Sequence, residues 1–89
     1  MKAVITVIGK DTVGILAKVS GKCAQYNVNV IDVSQTVLDS MFCMIMICDM
    51  SKMSIKFGDF SEEMDALGSE MGMKIHTMHE DIFESMHRI

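Results

Sequence analysis

Eighty-nine residues, 49% of them apolar, make one domain (1–89) near the lower end of what folds on a single core, with apolar surface left over for association. A net charge of −4 with scattered Lys and Arg excludes a nucleic-acid binder that works by phosphate neutralisation. The longest apolar run, Met41 to Cys48, is far shorter than the roughly 20 residues of a membrane span, so no membrane partner is expected.

The short apolar stretch after Lys2 runs into Gly-Lys-Asp with no small-residue cleavage site, and so does not read as a signal peptide. Three cysteines, Cys23, Cys43 and Cys48, sit inside apolar patterns, which points to reduced core thiols in a cytoplasmic protein. In chain order, Lys2 to Ile8 is β-branched and apolar on both faces, as a central strand covered on both sides would be. Asp11 or Thr12 is placed to cap a first helix whose buried face carries Leu16, Val19, Cys23 and Tyr26, with Asn27 as a left-handed stop.

Val30 to Leu38 alternates. Ile31, Val33 and Val37 point one way, Asp32, Ser34 and Thr36 the other, as on a half-exposed edge strand. Asp39-Ser40 makes a tight turn, and Met41 to Asp49 returns as a second central strand. Asp59 and Glu62 resemble a capping box before a second helix with Phe60, Met64, Leu67 and Met71 on one face and a stop at Gly72. Lys74 to Met78 reads as a final edge strand. Ile82, Phe83, Met86 and Ile89 predict a short C-terminal helix, with Arg88 at the end its dipole favours.

The order β-α-β-β-α-β, with strands one and three interior and a tail helix, predicts an α+β ferredoxin-like fold. Its sheet would be four-stranded and antiparallel, with two helices on one face. That fold hosts many chemistries, and each needs its own residues. Gly9 and Gly14 have the spacing of a P-loop, but Ile15-Leu16 stand where Lys-Ser/Thr is needed, so nucleotide hydrolysis lacks its electrostatics. Asp11 replaces the middle glycine of the dinucleotide fingerprint and would repel a pyrophosphate. Stacking platforms for RNA are missing from the central strands apart from Phe42. The loop after strand one carries neither the C-x-x-C of a metal carrier nor the Arg of an acylphosphatase-like enzyme. No nucleophile–base pair can be placed, so an enzyme is not expected, nor is a cofactor.

The segment GKDTVGILAKVSGKCAQYNVNVIDVSQTV resembles the ACT domain. Asp11, Gly14, Ile15, Leu16, Asn29 and Val30 match that family's pattern; Thr12 and Val13 depart from its frequent Arg-Pro. The tail HEDIFESMHRI is similar to that of short standalone members. The resemblance implies a regulatory domain that senses an amino acid or related small metabolite. In the family two domains commonly pair side by side or across their sheets, so a homodimer or higher homo-oligomer is implied. The ligand would lie where the loop after strand one meets a partner's second strand, with Gly9, Asp11, Val13, Gly14, Ile15, Leu16 and Asn29 as its site. Asp11 could take an α-ammonium, the free N–H groups behind Gly14 a carboxylate, and Asn29 a further polar contact.

Plainer roles stand beside these. Asp11 can be a helix cap, Gly14 a packing position and Asn29 part of a turn. The alternative function is a protein–protein interaction module without a small-molecule ligand, acting on a regulated protein partner. His76, His79 and His87 supply donors, but positions three apart on a strand point to opposite faces, so no metal site is expected. Cys43 and Cys48 likewise face opposite ways. Met41, Met44 and Met46 read as strand core, and Met50 and Met53 as a loop or contact surface.

Overall fold

The computed structural model describes residues 1–86, Met86 by its backbone alone, so the expectations for Met86, His87, Arg88 and Ile89 fall outside the described side chains. The elements are β1 (Lys2–Lys10), α1 (Ile15–Gln25), β2 (Asn29–Leu38), β3 (Met41–Asp49), α2 (Phe57–Met71), β4 (Met73–His79) and α3 (Glu80–Met86). The sheet runs β2-β3-β1-β4 and every pairing is antiparallel. The expected fold is therefore the observed one, with β1 and β3 interior.

One side of the sheet carries the core. Ala3, Ile5 and Val7 of β1, Met44, Met46 and Cys48 of β3, and Met73 and Ile75 of β4 meet Ile15, Val19 and Cys23 of α1 and Phe60 and Met64 of α2. Alternation along the interior strands sends Thr6, Ile8, Cys43 and Ile45 to the other side, which we call the open face. Ile8 is 45% exposed there, so β1 is not covered on both faces along its whole length. Val4 is also on that side but only 1% exposed, and it stands outside the helix-side cluster; α3 packs across β1 and β4 at this end.

Three local expectations fail, each for a packing reason. Neither α1 nor α2 has a side-chain cap. Gly14, not Asp11 or Thr12, is the N-cap of α1, so the inward face is Ile15, Val19 and Cys23, and Leu16 turns outward. The helix α2 starts two residues before Asp59, because Phe57 packs against the core; Asp59 then lies in the first turn, where it suits the dipole without capping. In β2 a bulge between Val30 and Asp32 leaves Ile31 as the extra residue, exposed rather than in line with Val33.

The stops and the hairpin behave as read. Asn27 is left-handed (φ 60°), α2 ends at Gly72 (φ 70°), and Asp39 and Ser40 both have positive φ (49° and 64°), the twist a two-residue hairpin turn requires. Cys23 and Cys48 are buried and their thiols hydrogen-bond to each other in the core, while Cys43 is half-buried on the open face. This bond, then burial, pushes the Cys48 thiol well above its ordinary range.

Candidate functional site

The loop after β1 is built from its two ends. At the near end Gly9 pairs with Phe42 on one side and Met73 on the other, and a Cβ there would sit 2.5 Å from Met73 Sδ. Gly9 thus has a packing reason to be small. The Asp11 N–H donates to the Ser40 carbonyl (3.2 Å), which ties the loop to the β2–β3 turn and leaves the Asp11 side chain exposed. Val13 projects almost wholly into solvent, 95% exposed.

At the far end Gly14 adopts φ 86°, ψ 10°, a left-handed backbone that costs a side-chain-bearing residue about 1–2 kcal/mol. Its carbonyl accepts the first helical bond from Lys18 N–H (3.0 Å). Because no side chain caps α1 and no acid lies in its first turn, its leading N–H groups face outward with the positive end of the helix dipole. Asp11, three residues before Gly14 in the chain, adds one exposed carboxylate to the loop.

The remaining candidate, Asn29, is not with the others. It opens β2 opposite Asp49, whereas the loop lies beyond Leu38, Met41 and Lys10, so the length of a ten-residue strand, about 30 Å, separates them. Asn29 lines a cavity of about 400 Å³ with Asn27, Val28, Asp49, Ser51 and Lys52. The Ser51 N–H donates to Asp49 Oδ1 (2.9 Å); that bond, then the Ser51 hydroxyl, with the N-terminal amine and Lys2 adding to them, holds the Asp49 carboxyl below its usual range. Asn27 Nδ2 donates to the Lys52 carbonyl (2.9 Å), fixing the far wall. Sequence reading missed Asp49 and Lys52 as site-lining groups; the hairpin register between β2 and β3 was the signal that could have found them.

A clasp between the helices holds α1 in place. Tyr26 OH donates to Glu63 Oε1 (2.9 Å), and Lys22 Nζ lies 3.2 Å from the same oxygen. The Tyr26 bond, then Lys22, lowers the Glu63 pKa, and Glu63 in turn raises that of Tyr26. A depressed carboxyl pKa contributes stability above the ordinary Glu value of about 4.3, and the contribution is lost as pH falls through the folded value. Raised Tyr26 acts oppositely, losing its contribution as pH climbs above about 10. The expected result is that wild type melts above Glu63→Gln at neutral pH and that the gap closes as pH drops below about 4. A gap that persists at pH 3 in calorimetry would refute the clasp.

His76 is exposed on the open face, while His79 is on the helix side with its ring 4.8 Å from that of Phe57. Among the described residues no three His, Cys, Asp or Glu side chains converge on one point. No helix among them is long and apolar enough to cross a membrane.

Known proteins bear on this arrangement. A family model described as the ACT domain matches residues 2–78. A UPF0237 protein from Listeria innocua is 48% identical over 89 residues, covering 100% of both chains. An ACT domain protein from Streptococcus pneumoniae has a solved structure that superposes with a TM-score of 0.82 at 44% identity, over 94% of each chain. The regulatory subunit of aspartate kinase from Thermus thermophilus shares the fold, with a TM-score of 0.65 at 24% identity over 85% of this chain and 49% of that one.

Proposed function

The chain belongs to the ACT domain family, and from that premise we propose that it is a regulatory protein of the cytoplasm that senses an amino acid or related small metabolite at an interface between two copies. Domains of this family are regulatory and bind small molecules; the identity of the ligand class and the shared interface are our reading. The observation that carries it is the uncapped start of α1 behind Gly14, with Asp11 tethered three residues before that glycine. The carboxylate of an amino acid fits the N–H groups, and its ammonium fits Asp11. Val13 and Leu16 would border the side chain, Ile15, whose own side chain is buried in the core, would offer only its backbone, and Gly9 would set the depth of the loop. The same fold works as a regulatory subunit of aspartate kinase in Thermus thermophilus, which supports a regulatory rather than catalytic reading.

Asn29 supports the second copy. One chain holds it far from its own loop, but antiparallel pairing of two β2 edges about a two-fold axis would bring Asn29 of one protomer to the Leu38 end of the other, where the loop lies. The second reading, an interaction module without a small ligand, is favoured by the exposed Val13 and Leu38 at that same end.

A thermal-shift panel of the amino acids and small carboxylates tests the proposal. At 100 times Kd a ligand adds about 2.7 kcal/mol, and each kcal/mol moves Tm by about 4–8 °C in a domain of this size. One amino acid is expected to raise Tm by more than about 10 °C, with the rise lost in Asp11→Ala and reduced in Asn29→Ala. A flat panel on protein shown to be dimeric would sink the sensor and leave the interaction module.

A further inference from the structure

We propose that the outer edge of β4 is a docking site for an extended segment of a partner protein in which basic and acidic residues alternate, added to the sheet as a fifth strand. The site lies at the opposite edge from β2, and its use does not depend on whether the loop after β1 binds a ligand.

The sheet ends in β2 on one side and β4 on the other. An edge strand presents backbone N–H and C=O groups that a further strand can pair with. The two edges are built differently. A bulge breaks β2 between Val30 and Asp32, whereas β4 pairs with β1 in unbroken register from Met73 to His79, a straight template of seven residues without proline. Bulges and prolines are the usual means of blunting an edge, and β4 has neither.

This edge is also the floor of a cleft. The helix α2 approaches β4 so closely that a Cβ at Gly68 would lie 2.8 Å from the Met73 carbonyl oxygen. Glu63 turns toward α1, where it meets Tyr26 and Lys22. Asp65 follows two residues later, about 200° around the helix, and Ser69 stands one turn further on. Both therefore lie on the flank away from α1, over the free edge. There Asp65 and Ser69 enclose a cavity of about 360 Å³ with Met73, Lys74, Ile75 and His76. Met73 and Ile75 are buried in the core beneath α2, while Lys74 and His76 are exposed on the open face.

Charge says what kind of segment fits. The helix α2 carries Asp59, Glu62, Glu63, Asp65 and Glu70 and no Lys or Arg, so the wall on the helix side is acidic. The wall on the open side is Lys74, with His76 two residues on. Successive side chains of an extended segment point to opposite faces, so a segment laid on β4 sends alternate residues to the two walls. Lys or Arg in one set meets Asp65, and Asp or Glu in the other meets Lys74. A second copy does not meet this demand. Antiparallel β4–β4 pairing about a two-fold axis centred on Lys74, Ile75 or His76 sets Lys74 against Lys74, Lys74 against His76, or His76 against His76. A helical partner would leave the backbone groups of the edge unpaired.

The test titrates short, end-blocked peptides into the isotope-labelled full chain at low salt, read by fluorescence anisotropy and by amide exchange in NMR. One peptide alternates Lys with Glu, a second Lys with Thr, and a third Glu with Thr. The Lys/Glu peptide is expected to bind wild type several-fold more tightly than the other two, and to slow exchange at every second amide of Met73–His79. Asp65→Lys makes both walls basic and is expected to shift the preference to the Glu/Thr peptide; Lys74→Glu makes both acidic and is expected to shift it to Lys/Thr. The two changes together exchange the walls, and the Lys/Glu peptide is expected to bind again as in wild type, displaced by one residue. Both side chains are exposed, so the variants are expected to keep the wild-type far-ultraviolet circular dichroism spectrum. No binding at millimolar peptide, equal binding of a backbone N-methylated Lys/Glu peptide, or slowed exchange elsewhere than in β4 would overturn the added strand. Slow exchange of the same amides in the peptide-free chain, lifted by dilution, would give the edge to a second copy and overturn the partner segment. An unchanged peptide preference in both single variants would overturn the charged walls.

Discussion

Phe60→Ala is expected to lose about 3–5 kcal/mol, with a fall in Tm of more than about 10 °C for a domain this small. The ring is fully buried and meets Tyr26 edge-on, with centroids 6.2 Å apart at 87°. It belongs to the cluster that joins both helices to the sheet, so its removal leaves space where α1, α2 and the sheet meet. Much of that cluster is methionine, Met44, Met46 and Met64 among them, and these flexible chains can move into part of the gap. That relaxation argues for the lower half of the range. Phe60→Leu, which keeps most of the volume, is expected to cost less than half as much. Urea and thermal melts of the two variants decide it. A Phe60→Ala protein that melts within about 2 °C of wild type would mean that the ring does not hold the helices to the sheet.

The sequence made some of this legible and hid the rest, for reasons visible in single residues. A run apolar on both faces reads as an interior strand, so Met41 to Asp49 was readable to the residue and its neighbour order followed, while period-two alternation marked β2 as an edge. It fails at Ile31, because a bulge shifts the phase and leaves no mark in composition. Helix ends were readable where a backbone demands a residue type, at Asn27 and Gly72, and misread where a cap was inferred from side chains alone, at Asp11 and at Asp59. Phe57 outweighed the capping box because burial of an aromatic ring exceeds a cap worth about 1 kcal/mol. For the candidate site, the loop from Gly9 to Leu16 was contiguous in the chain and therefore visible. The distance to Asn29 was not, since strand direction and register decide which end of the sheet it occupies.

The same contrast separates two glycines and yields the second large effect. Gly68→Val is expected to lose about 1–3 kcal/mol through overpacking, even though glycine inside a helix is itself unfavourable by about 1 kcal/mol relative to alanine. A Cβ at Gly68 would sit 2.8 Å from the Met73 carbonyl oxygen and 3.1 Å from Ile75 Cγ1. The first of these atoms is backbone, and β4 cannot retreat, because Met73 and Ile75 are paired with Gly9 and Val7 of β1. Gly14 is the opposite case: nothing lies within 4 Å of the missing Cβ, and the demand is the left-handed φ alone. Gly14→Val therefore strains the loop without touching the core, whereas Gly68→Val wedges α2 from the sheet and leaves the loop as it is. Melting both variants with and without the amino acid found in the thermal-shift panel separates stability from sensing. Gly68→Val is expected to start from a lower Tm and keep the full ligand-induced rise; Gly14→Val is expected to lose most of the rise. A full rise in Gly14→Val would remove the loop from the binding site, and a loss in both would trace the response to global stability rather than to the start of α1.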